Sequence, residues 1–196
     1  MAEQLQIKCE CGAVKGTLQD SPAGNRLVCM CSSCQAFARF LGQAKILDEH
    51  GGTDIYQVTP SQIAFSQGVQ EIRCMRLSDS GIWRWYTDCC KTPIGNTMAS
   101  TKIAFLGLPT VCLDEDLKSI PPISARIHGR CATSPCEGAH PTAPVKLFLK
   151  IVGRLIANGL QGRGSPSPFI VDGKPLVEPM VLSLAERESL GLETSS

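Results

Sequence analysis

Apolar and polar positions alternate from the start of the chain. Leu5, Ile7 and Cys9 occupy every second place, Gly12 interrupts, and Val14, Gly16 and Leu18 resume. A period of two belongs to an extended chain with one face buried, so residues 5–20 predict a strand, a turn and a second strand. The turn-forming cluster Asp20 to Asn25 follows, and Arg26 to Cys29 predicts another brief strand. From Cys34 to Leu41 the period lengthens, with Ala36, Phe37 and Phe40 on roughly one side of one or two helical turns. Further short strands are predicted at Thr53 to Thr59, Gln62 to Phe65, Gln70 to Leu77 and Ile82 to Tyr86. Short strands separated by Gly, Pro and Ser turns predict a mainly β unit over residues 1–110.

The texture changes in the extension, residues 111–196. Pro121-Pro122 and the stretch from Cys131 to Pro144 read as connecting loop. Thr142 as cap, with Pro144 in the first turn, predicts a helix over about 144–158. Its apolar face is Phe148, Val152, Leu155 and Ile156, with Leu147 and Ile151 beside it, and Asn158-Gly159 supplies a stop. Ser183-Leu184-Ala185-Glu186 matches a capping box and predicts a short final helix. The longer helix is expected to pack on the β unit.

Of the 196 residues 43% are hydrophobic and 19% charged, enough apolar side chain for a packed core. The net charge of +1 provides no global attraction for nucleic acid, and no nucleic-acid partner is expected. No apolar run approaches the ~20 residues of a bilayer span, and the first residues lack the pattern of a signal peptide. A cytoplasmic protein without a membrane partner is the expectation. There the 11 cysteines read as metal ligands or reactive thiols rather than disulfides, and their odd number forbids complete pairing within one chain.

Three groups of cysteines stand out: Cys9 with Cys11; Cys29, Cys31 and Cys34; and Cys89 with Cys90. Zinc takes thiolates in a tetrahedral array, and thiols two or three residues apart on a turn can converge on one ion. Cys29, Cys31 and Cys34 supply three ligands; the fourth comes from elsewhere or is water. Three protein ligands with an exchangeable fourth position make a reactive zinc. Cys9 and Cys11 need distant partners, which Cys90 and Cys89 can provide, although adjacent cysteines tend to point apart.

The blocks Cys9-x-Cys11-Gly12-Ala13-Val14, Cys29-x-Cys31-Ser32-x-Cys34 and Cys90-Lys91-Thr92-Pro93-Ile94-Gly95 resemble the signatures of the glutathione-dependent formaldehyde-activating enzyme family, which also includes the centromere protein V relatives. The resemblance covers residues 5–107. It implies a tent-like fold of coiled antiparallel sheets around two Zn2+ sites, with Cys29, Cys31 and Cys34 on a catalytic zinc and the outer blocks on a structural one. It also implies carbon–sulfur lyase activity on glutathione and a small aldehyde. Two departures matter. The third block of the family usually reads Cys-x-x-Cys-Gly-Thr-Pro, whose first cysteine falls here on Thr87 and whose glycine falls on Lys91. The outer site is therefore completed by Cys89, weakened or absent. Met30 stands where the family often has histidine.

Other residues bear on the same chemistry. Arg39, Arg73 and Arg84 are candidates for holding the carboxylates of a glutathione-like ligand. Phe37 and Phe40 are candidates for lining a pocket beside the metal, whereas Trp83, Trp85 and Phe65 read as core. His128, Cys131, Cys136 and His140 have a spacing that permits a third metal site. The expected activity is a zinc-dependent, carbon–sulfur lyase-like reaction on a small-molecule thiol or its aldehyde adduct. The alternatives are a non-catalytic zinc-stabilised interaction module and a redox sensor using Cys89 and Cys90.

Overall fold

The computed structural model describes residues 4–19, 24–114 and 117–192; residues 20–23 of the expected turn lie outside them. The chain is mainly β, as its alternation implies. Strands β1 (Leu5–Lys8) and β2 (Lys15–Leu18) form an antiparallel hairpin, to which β5 (Ile63–Gln67) is added. The main sheet contains β3 (Asn25–Cys29), β4 (Thr53–Val58), β6 (Ile72–Arg76), β7 (Trp83–Thr87), β8 (Pro93–Thr97), β9 (Leu106–Pro109), β10 (Ile123–Ile127) and β13 (Met180–Val181). Its eight strands run in the order β10-β3-β4-β9-β8-β7-β6-β13. The inner pairs are antiparallel, while β10 on β3 and β13 on β6 are parallel. Both outermost strands thus come from the extension. A third, two-stranded ribbon joins β11 (Ile170–Val171) to β12 (Lys174–Pro175).

Register divides the main sheet into two chemically different faces. On one face Tyr56 lies opposite Leu108, and Trp85 opposite Gly95. These residues join Leu5, Ile7, Leu18 and Ile63 of the smaller sheet in the principal core. Phe169, from the extension, packs on Trp85 at 4.9 Å and, with Leu106, fills the space a side chain at Gly95 would need. The other face carries Leu27 opposite Ile55, Gln57 opposite Gly107, and Arg84 opposite Asn96. That second face bears the candidate site.

Helix α1 (Ser32–Phe40) packs Ala36, Phe37 and Leu41 on Met75 and Tyr86. It ends in a Schellman turn at Gly42, whose φ of +64° a glycine accommodates without strain. Helix α2 (Val145–Leu160) matches the expected apolar run, but its ends and its packed face need correction. Thr142 does not cap it; Pro144 is the N-cap, with no side-chain cap bond. The helix continues through Asn158-Gly159 and stops at Gly162, where the Gly162 and Arg163 amides bond back to the Gly159 and Asn158 carbonyls. Leu147 and Ile151, expected beside the apolar face, are the residues that pack against Leu27, Cys29, Cys34 and Ile127. Phe148 and Ile156 turn outward, 56% and 59% exposed. Both sides of α2 are apolar, so periodicity alone could not choose between them. The short α3 (Leu184–Ser189) has the expected capping box between Ser183 and Glu186. No described helix is long and apolar enough to cross a membrane.

Candidate metal centre

Two groups of cysteines converge, and each could hold a metal ion: Cys9, Cys11, Cys89 and Cys90 in one, Cys29, Cys31 and Cys34 in the other. The sulfur atoms of each group lie within 4.8 Å of one another.

The outer group is built by two tight turns. After β1 the chain reverses at Gly12, with the Gly12 amide on the Cys9 carbonyl and the Val14 amide donating to the Cys9 sulfur at 3.2 Å. After β7 it reverses again through residues 88–91, where Lys91 takes a left-handed φ of +56°. That turn brings both neighbouring cysteines round to Cys9 and Cys11. Sulfur–sulfur distances are 3.6 Å for Cys9–Cys11, 3.8 Å for Cys9–Cys89, 3.4 Å for Cys11–Cys89 and 3.8 Å for Cys89–Cys90. A tetrahedron of 2.3 Å zinc–sulfur bonds has edges of ~3.8 Å, so this donor set fits a closed four-thiolate site. Cys89 therefore does what Thr87 cannot. Thr87 is buried with its hydroxyl 3.4 Å from the Cys90 sulfur. Burial raises the Cys90 thiol pKa, but hydrogen bonds from Thr87, Thr92 and Cys11 outweigh it and bring the value to about 5. Burial lifts Cys89 to about 12.

The inner group sits where β3 passes into α1. Cys29 is the last residue of β3, Cys31 is the N-cap of α1, and Cys34 lies in its first turn. Met30 between them is fully buried on the opposite side. Hydrogen bonds from the Cys29 and Cys34 thiols hold the Cys31 thiol down to about 2, making it the first to ionise. Its bond to that thiolate then raises Cys29. Cys34 is lowered by Cys29, but Cys31 and burial outweigh this and leave it at about 11. Three thiols crowded around one charge shed their remaining protons only to a cation, so a soft divalent metal fits this donor set.

Beside the inner group opens a cavity of about 540 Å³. Its floor is the second face of the main sheet, and Ile151 of α2 closes one side. Arg84 is the only charged side chain among the described residues lining it. Its guanidinium is 4% exposed, donates to Asn96 Oδ1 at 3.2 Å and lies 5.2 Å above the Phe37 ring. The positive charge acts on Cys31 and Cys34, favouring their thiolates.

The remaining candidates disperse. Arg39 donates to the Leu190 carbonyl and to Gln35, and Arg73 pairs with Asp88, so neither reaches the cavity. Phe37 supports Arg84 from below, and Phe40 packs edge-on against Tyr86 at 5.7 Å instead of lining the cavity. Trp83 and Trp85 are core. His128, Cys131, Cys136 and His140 do not converge as a metal site. Backbone bonds from the Gly129 amide to the His140 carbonyl, and from the His140 amide to the Arg126 carbonyl, order their loop instead. The cavity walls, including Ile55, Phe105, Ile127 and Asn96, went unrecognised in the sequence, because they come from separate segments with no shared motif.

No curated protein matches the chain. A crystal structure of a Rhodobacter sphaeroides protein is similar at 14% identity and a TM-score of 0.41, over 57% of this chain and 90% of that one. A family model matches residues 1–180, and on that match the chain belongs to DUF6151, a family of unknown function.

Proposed function

We propose that the protein is a zinc-dependent, carbon–sulfur lyase-like enzyme that adds a small-molecule thiol to an aldehyde and reverses that addition. The observation that carries this reading is the contrast between the clusters: four thiols close on themselves, whereas three face a cavity large enough for a substrate. The resemblance of the three cysteine blocks to the glutathione-dependent formaldehyde-activating enzymes supports it. A non-catalytic, zinc-stabilised module would be expected to close both of its sites.

Zinc, when bound by Cys29, Cys31 and Cys34, supplies Lewis acidity toward an oxygen and stabilises a sulfur anion at neutral pH. In the addition, the substrate sulfur attacks the carbonyl carbon, a C–S bond forms, and the carbonyl π pair moves to oxygen, which takes up a proton. The reverse step breaks the C–S bond and returns the proton. Among the described residues lining the cavity there is no carboxylate or imidazole. Protons therefore exchange with solvent, which suits a thiol addition better than a hydrolysis requiring a protein base. Arg84 holds a fixed positive charge beside the cluster sulfurs that would carry the metal and needs no reorganisation during the step. A reducing, cytoplasmic setting belongs to the same proposal, since it keeps the cluster thiols free.

Metal analysis and adduct formation, in wild type and Cys31→Ala, test the proposal. Wild type is expected to carry one ion per cluster and to accelerate thiol–aldehyde exchange seen by NMR. Cys31→Ala is expected to lose the inner ion, keep the outer one and lose the acceleration. Full metal content and undiminished exchange in that variant would refute it.

A further inference from the structure

The walls of the cavity select among thiols. This inference rests on the reading of the site just given and narrows its substrate. Leu27, Ile55, Ile82, Phe105, Ile127 and Ile151 give the cavity apolar sides. Its amides are committed within the protein: Asn96 accepts from Arg84 and donates to the Gly107 carbonyl, and Gln57 Oε1 accepts from Asn25. Arg84, the one cation lining the cavity among the described residues, is 4% exposed, gives one N–H to Asn96 and lies over the Phe37 ring. Among the described residues no carboxylate forms an ion pair with it. Beyond Arg84, the described residues lining the cavity offer no cation to a substrate's carboxylates and no carboxylate to its ammonium.

The geometry points to a neutral, apolar thiol, aliphatic or aromatic, as the sulfur substrate, taken together with its aldehyde adduct. Glutathione carries two carboxylates and an ammonium. In this cavity their hydration would be exchanged for one shielded guanidinium and the uncharged hydroxyls of Ser33, Ser78 and Ser80, whereas a hydrocarbon thiol gains by leaving water. The adduct of an apolar thiol forms by the balanced addition already described and needs no further reactant.

The test is calorimetric titration of the zinc-loaded, full-length protein with benzyl mercaptan and, separately, with glutathione. Benzyl mercaptan is expected to bind about tenfold tighter or better. Glutathione binding as tightly or more tightly would overturn the inference and leave the proposed activity standing. Binding of neither thiol to fully metal-loaded protein would overturn both. Two wall variants, checked for folding by circular dichroism, provide further arms. Ile82→Lys, at a half-buried wall position, introduces the missing cation and is expected to bring glutathione to within a few-fold of benzyl mercaptan. Phe105→Ala is expected to weaken benzyl mercaptan several-fold and leave glutathione unchanged. An unaltered ratio in both folded variants would place the thiol outside this cavity and overturn the inference.

Discussion

Arg84 is the residue on which the electrostatics of the inner site turn. A buried guanidinium is costly unless its charge is met, and here the cysteines meet it. Replacing it with methionine keeps much of the volume and removes the charge. Arg84→Met is expected to lower metal affinity at the inner site by about 10- to 100-fold, the range for residues that support metal ligands without touching the metal, with the outer site unaffected. Competition with a chromogenic chelator reads both sites; equal loss at both, or at neither, would contradict the assignment. At this scale the sequence was legible where the chemistry is local. Cys29, Cys31 and Cys34 lie within six residues, and no fold was needed to see that they could converge. The outer site was less legible. Whether Cys89 and Cys90 point the same way depends on the left-handed turn at Lys91, and nothing about a lysine announces that backbone.

Strands and turns carry the site through a few polar clasps between apolar runs. Arg26 on β3 grips Asp54 on β4 with Nη2 at 2.6 Å and Nε within 3.1 Å of both carboxylate oxygens. The clasp fixes the strand that ends in Cys29. Asp54→Ala leaves Arg26 partly buried without its counter-charge and is expected to cost about 2 kcal/mol in chemical denaturation. In the turn that leads into β4, Asp48 accepts from the His50 and Gly52 amides and from Arg126 of β10. Burial opposes its ionisation, but those hydrogen bonds outweigh it and hold its pKa below the usual 3.8. A carboxylate depressed in the folded state stabilises above its unfolded pKa, and that stability disappears as pH falls through the lower, folded value. Asp48→Asn is therefore expected to destabilise by about 1 kcal/mol at neutral pH, allowing for partial solvent screening. The variant and wild type should converge as pH falls well below 3.8, the ordinary value; a difference that stays constant on acidification would contradict this account. Alternation revealed β1 and β2, whose polar positions contrast with apolar ones, while β4 and β7 were read from their β-branched and aromatic residues. Alternation did not reveal β8 or β9, whose residues are buried throughout.

The whole molecule is more unified than the division at residue 110 implies. The extension contributes both outermost strands of the main sheet, and Phe169, Ile170 and Ile120 lie in the principal core. A chain ending at residue 110 is expected to lack a cooperative thermal transition, because it exposes Trp85 and leaves β3 and β6 as bare edges. A sharp transition close to the wild-type temperature would show the first unit to be autonomous. The cavity exists only at this scale: it needs β10, the start of α1, α2 and the central strands together, which is why no local pattern displayed it. What the arrangement claims above all is that one cluster is closed and the other open. Zinc-edge X-ray absorption on fully loaded protein measures this directly, compared between wild type and Cys9→Ser/Cys11→Ser, which leaves only the inner site occupied. The account predicts a variant spectrum of three sulfur ligands and one lighter atom, with a higher mean sulfur count in wild type. Four sulfur ligands in the variant, or no bound zinc at all, would contradict it.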